Sequence, residues 1–158
     1  MPLIDLTYPA GTFDAETRTE LADELTTLLL HWEGAPNTDF FRSIAWVHVH
    51  ELPGEHVYAS GRPVETPHFK AIVTIPDGAL SPRRKSGLVE AFTAEIRNKS
   101  GLGEDANIRI WVLINEVPEG NWGAAGAIVQ FEQLRAAARA EREYDPSAEQ
   151  TPAGTTAS

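Results

Sequence analysis

The chain has 158 residues, 42% of them hydrophobic, enough for one domain with a real core. It contains no cysteine, which excludes a disulfide framework, a thiolate metal site and a cysteine nucleophile. A formal net charge of −10 argues against nucleic acid or an anionic membrane as partner, since both require a basic face, and any anionic substrate needs its own local Arg or Lys.

Asp5 and Asp14 interrupt the stretch where a secretory signal would place its hydrophobic region. No apolar run approaches the roughly 18 residues that span a bilayer. A cytoplasmic protein is the expectation. At the start, Pro2 follows the initiator methionine, and Met aminopeptidases cut before small residues. The processed chain would begin with a secondary amine, which titrates near neutral pH in apolar surroundings.

Leu3 to Tyr8 reads as a strand with Leu3, Asp5 and Thr7 on one side and Ile4, Leu6 and Tyr8 on the other. Pro9-Ala10-Gly11 breaks it. Asp14 is a suitable N-cap with Glu16 in the first turn, and Leu21, Leu25, Leu28 and Leu29 recur at helical spacing, predicting a helix to about Trp32. Ser43 to His50 alternates as a second strand, and Pro53-Gly54 and Gly61-Arg62-Pro63 mark turns.

The second half repeats this plan. Phe69 to Ile75 is a strand broken by Pro76-Asp77-Gly78, and Ser81-Pro82 opens a helix. Leu88, Phe92 and Ile96 follow Leu21, Leu25 and Leu29 at a constant offset of 67, and Asn107 to Ile114 is a strand. Ala45-Trp46-Val47 through Glu51-Leu52-Pro53 lies over Ile110-Trp111-Val112 through Glu116-Val117-Pro118 at an offset of 65. Internal similarity at this spacing marks a duplicated supersecondary unit.

The expected fold is α/β: tandem β-α-β units over 2–62 and 69–126 make a four-stranded sheet with two helices on one face. An extra C-terminal helix is expected over 127–143, carrying Ile128, Phe131 and Leu134, and a disordered tail over 144–158. The uncovered sheet face would present Trp46, Trp111 and Leu113. A parallel sheet rarely leaves a face in water, so a homo-oligomer is expected.

This pattern resembles the tautomerase superfamily of 4-oxalocrotonate tautomerase. The features that carry the resemblance are Met1-Pro2 at the head of the first strand, the tandem units, and the segment Ile110 to Gly123 with Glu116-Val117-Pro118-Glu119-Gly120-Asn121-Trp122-Gly123. Length and duplication are similar to fused members such as cis-3-chloroacrylic acid dehalogenase and malonate semialdehyde decarboxylase. The resemblance implies a homotrimer, no cofactor, and catalysis by the N-terminal amine of Pro2 acting as general base on a small carboxylate substrate. Phe69 heads the second unit with an amide nitrogen, so one catalytic amine per chain follows. The resemblance also puts Trp122 and Asn121 beside the substrate. The family's arginine positions are Thr12, Trp46, Ala79 and Trp111 here. Arg42 and Arg109 lie four and two residues before Trp46 and Trp111, on the same side of a strand as each, and Arg62 lies in the turn after the first hairpin; one of these three is expected to bind the carboxylate. A keto–enol tautomerase is the reading this favours. The alternatives are a non-catalytic or weakly promiscuous ligand-binding trimer, and then a dehalogenase, hydratase or decarboxylase.

Two other signals compete. His48 and His50 share one strand face and could meet a metal, but a third ligand, from His31, His56, His68 or an acid, could come only through the fold, and no metal is expected. Arg83, Arg84 and Lys85 occupy the first turns of the second helix, the end where positive charge is unfavourable. That placement is explained either by a nearby anion or by a solvated basic patch.

Overall fold

The computed structural model describes residues 2–143; the tail expected over 144–158 lies outside the described residues. The first unit consists of β1 (Leu3–Pro9), α1 (Ala15–Glu33), a short α2 (Asp39–Ser43) and β2 (Trp46–Leu52). A small hairpin, β3 (Tyr58–Ala59) and β4 (Arg62–Pro63), leads to the second unit: β5 (Phe69–Pro76), α3 (Pro82–Ser100) and β6 (Ile110–Val117). A second hairpin, β7 (Gly123–Ala124) and β8 (Ala127–Ile128), precedes α4 (Phe131–Glu143).

The main sheet has the order β2-β1-β5-β6, with each unit's two strands parallel and the units joined by antiparallel β1 and β5. Strand registers repeat as the sequence does: Leu3 pairs with Trp46 and Asp5 with His48, while Lys70 pairs with Trp111 and Ile72 with Leu113. The supporting details recur too. Asp14 caps α1 by accepting from the Thr17 amide, and Ser81 caps α3 from the Arg84 amide. Gly34 and Gly101 end the two helices at φ +72° and +68°, left-handed geometry that glycine adopts without strain. Arg18 pairs with Glu51 at 3.4 Å, and Lys85 with Glu116 at 2.6 Å.

Between sheet and helices lies one core. Ile4, Leu6, Ala71 and Val73 meet Leu21, Leu25, Leu29, Leu88, Phe92 and Ile96, all essentially buried. The helices touch through two counterpart contacts. Lys99 bonds Glu20 at 2.9 Å, whereas the residues equivalent to that pair, Trp32 and Gly87, pack ring on backbone. A Cβ on Gly87 would lie 2.1 Å from the Trp32 ring, so only glycine fits. The opposite sheet face is open, with Trp46 61% and Trp111 65% exposed.

Several expectations require correction. Residues 43–45 belong to the end of α2 and a connector, and 107–109 to a 3-10 turn (Glu104–Arg109), so β2 and β6 each start about three residues later than alternation suggests. The last helix does not begin at Ala127: β8 pairs with β7 there, and Ile128 is exposed. A Glu119 carboxylate accepting from the Phe131 amide (3.1 and 3.3 Å) fixes the true helix start.

Candidate active site

Pro2 precedes β1 by one residue, and its carbonyl accepts from the Trp46 amide at 3.1 Å, which ties it into the β1–β2 ladder. It is buried, at one side of a cavity of about 390 Å³. The turn after β5 supplies Pro76, Gly78 and Ala79 to the lining, and the end of α1 supplies Glu33, Gly34 and Ala35. Phe41 comes from α2. One face of α4 closes the cavity with Phe131, Leu134 and Ala138 as its apolar part. Leu30, Phe41 and Ala138 form a small core of their own that seats α4.

The polar lining is strongly cationic for an acidic chain: Arg84, Arg135, Arg139 and Arg142 face a single carboxyl, Glu33. Arg84 donates to the Glu33 carbonyl at 3.4 Å and Arg142 donates to the Gly34 carbonyl. Both guanidinium groups therefore converge on the last turn of α1, where the helix dipole favours cations. Each lies close enough to touch a Cβ placed on Gly34, Arg84 at 3.3 Å and Arg142 at 3.5 Å. A guanidinium has five donors, so one carbonyl leaves capacity for an anion. Arg135 and Arg139 pair with Glu132 at 3.2 and 2.7 Å, and those hydrogen bonds, Arg139 first, hold the Glu132 carboxyl below its usual range. Burial pushes the Glu33 carboxyl up to about 7, with the positive charge of the amino terminus pulling the other way. An apolar cavity thus gathers an N-terminal segment, a carboxyl that titrates near neutrality and a cationic rim.

Of the residues singled out from sequence, Pro2 lines this cavity. Trp122 stands one layer behind it, its ring edge-on to Phe131 with centroids 6.5 Å apart, and its carbonyl accepts from the Val129 amide. Asn121 is exposed in the turn between β6 and β7, its backbone amide donating to the Pro118 carbonyl. Arg42 is bound by Asp23, by Thr27 at 3.0 Å and by Asn37 at 2.9 Å, which ties α2 to α1. Arg62 lies exposed in the β3–β4 hairpin, and Arg109 pairs with Asp105 at 3.7 Å. Arg42 and Arg109 do not share the tryptophans' strand face, because α2 and the 3-10 turn interrupt the alternation before each strand. Within one chain the structure does not bring these three arginines to Pro2.

Sequence reasoning missed Glu33 and the arginines of α4. The signal for the latter was present: Arg135, Arg139 and Arg142 at spacings of four and three share one helix face. Of the basic residues that open α3, Arg84 lies on the cavity wall and donates to the Glu33 carbonyl, and Lys85 is accounted for by Glu116.

No family model matches the chain, and no curated protein matches it in sequence. Solved structures do. A member of the cis-3-chloroacrylic acid dehalogenase family superposes with a TM-score of 0.71 at 24% identity, covering 94% of this chain and 95% of that one. A protein crystallised after inactivation by 2-oxo-3-pentynoate gives 0.69 at 22% identity, covering 84% and 98%. A wild-type fused 4-OT, solved as a symmetric trimer, gives 0.68 at 17% identity, again covering 84% and 98%. The chain therefore has the tautomerase-superfamily fold in its fused, two-unit form.

Proposed function

We propose that the chain is a cofactor-independent tautomerase that uses the amine of Pro2 as general base on a small enol or dienol carboxylate. The observation that carries this reading is the burial of Pro2 in an apolar cavity rimmed by Arg84 and Arg142. Removal of Met1 leaves the Pro2 nitrogen as a secondary amine. Desolvation lowers an amine's pKa, and a base titrating near the working pH transfers protons best. The amine takes the enol hydroxyl proton and returns a proton to carbon, completing the keto form, while the two guanidinium groups hold the carboxylate. Glu33, already tuned toward neutrality, carries a proton beside that amine. Trp122 acts on the substrate through Phe131. The open aromatic sheet face supports a homotrimer, the assembly of the fused 4-OT neighbour.

Ketonisation of phenylenolpyruvate or 2-hydroxymuconate, followed by ultraviolet absorbance, tests the activity. Pro2→Ala, or a chain with Met1 retained, is expected to lose on the order of 10²- to 10⁴-fold in rate, the usual contribution of a positioned base. Full activity in either protein refutes the mechanism. An unshifted Pro2 amine pKa by NMR titration would favour ligand binding without turnover.

A further inference from the structure

On the open face of the sheet, three residues along the chain from Pro2, one carboxylate lies beside two imidazoles. The β1–β2 register places Asp5 opposite His48 and Thr7 opposite His50, and strand alternation turns Asp5, His48 and His50 to the same side. Asp5 Oδ1 lies 2.8 Å from His50 Nε2 and 3.6 Å from His48 Nδ1. The three potential ligand atoms all fall within 4.8 Å of one another. The imidazole planes are nearly perpendicular, at 84°. We propose that Asp5, His48 and His50 form a binding site for a divalent transition-metal ion of the Zn²⁺ class.

The donor set fits the ion. Zinc takes imidazole nitrogen and carboxylate oxygen at about 2.0–2.2 Å, so neighbouring ligand atoms of a tetrahedral site stand about 3.4 Å apart. The two separations from Asp5, 2.8 and 3.6 Å, straddle that value, and the side chains have room to adjust in the single chain, with His48 53%, His50 50% and Asp5 28% exposed. The three side chains lie on the open sheet face, the face through which the proposed homotrimer would assemble. The ligands sit on backbone held by a seven-pair ladder rather than on loops, so ordering them costs little.

The fold itself does not require these residues. The second unit builds the same ladder in the same register, and its equivalent positions hold Ile72, Leu113 and Asn115. A polar triad that only supported the sheet would have no reason to be confined to one unit. β2 is an edge strand, and a metal bridging it to β1 would fasten that edge beside the strand that carries Pro2. The inference does not rest on the tautomerase reading.

The test uses the full-length chain, stripped with chelator and desalted, and Zn²⁺ alone as probe. Calorimetry should give saturable micromolar binding of one ion per chain. Long-range proton–nitrogen NMR spectra should show His48 Nδ1 and His50 Nε2 shifting on Zn²⁺ addition while the His31, His56 and His68 rings stay in place. Asp5→Asn, and separately His48→Gln with His50→Gln, should weaken binding at least about tenfold. His56→Gln should leave it unchanged. The absence of saturable binding, or shifts confined to the other histidines, overturns the proposal, and the spectra decide this on the unmodified protein should a variant misfold.

Discussion

Replacing Glu33 by glutamine isolates the group whose titration the cavity perturbs most. In the folded chain burial raises this carboxyl from 4.5 to about 7. Between those values the folded state holds a proton that the unfolded chain has released. Stability therefore falls as pH rises through that window, and is highest, as far as this group is concerned, below about pH 4.5. At about 1.4 kcal/mol per pH unit the ceiling is on the order of 3 kcal/mol. Because Glu33 keeps partial contact with solvent, about 1–2 kcal/mol is the expected size. Glu33→Gln has no proton to lose, so its urea-unfolding free energy should decline less from pH 4.5 to 8 than that of the unaltered chain. Glu95 is also pushed up to about 7, by burial and then by the neighbouring Glu24, but it contributes equally to both proteins and cancels in the difference. Parallel stability curves would show that the Glu33 carboxyl is solvated, and the proton-carrying role proposed for it would fall with that result.

Truncating the cationic rim should separate binding from chemistry. Arg84→Ala and Arg142→Ala are each expected to raise KM for a carboxylate substrate about 10- to 100-fold, from the ~1.5–3 kcal/mol of a hydrogen bond to a charged group. Steady-state kinetics check this, with the neutral methyl ester of the substrate as a control whose KM should not move. Gly87→Ala should destabilise the chain by about 1–3 kcal/mol through overpacking against Trp32, although alanine is intrinsically the better helix residue by about 1 kcal/mol. Thermal unfolding reads the loss, and Trp32→Leu in the same chain should restore most of it.

What the sequence disclosed was periodic. The 67-residue offset between Leu21-Leu25-Leu29 and Leu88-Phe92-Ile96 is a core pattern, and all six side chains are buried as it requires. Paired caps at Asp14 and Ser81 announced both long helices. The candidate site was harder, because it is assembled from places with no shared period. Glu33 is the last residue of α1, Arg84 lies in the first turn of α3, and Arg139 and Arg142 lie on a helix outside the repeat. Their meeting depends on how α4 seats on Leu30 and Phe41, a packing event that no local spacing encodes. Arg42 and Arg109 failed to reach the cavity for a local reason: each lies in helical backbone, where the two-residue strand rule has no force. The third ligand for His48 and His50 was equally invisible, since only the β1–β2 register puts Asp5 beside them.

The two units therefore share a frame and differ in what they place on it. Where one brings Pro2 to an open cavity, the other has Phe69, buried against Phe13 at 5.9 Å and Tyr8 at 6.3 Å. Where one brings Asp5, His48 and His50 to the outer face, the other has Ile72, Leu113 and Asn115. The proposed base and the proposed metal site both lie on the first unit, and the second repeats the ladders, caps and core stripe that hold the sheet. An equivalent base on the second unit is ruled out twice over. Its proline position is filled by an aromatic ring, and even an emptied position would offer only an amide nitrogen, whose lone pair is delocalised into the peptide bond and cannot act as a base at neutral pH. An N-terminal amine exists once per chain, so the second half cannot supply a base of this kind, and its share of the cavity is the wall of Pro76, Gly78, Ala79 and Arg84.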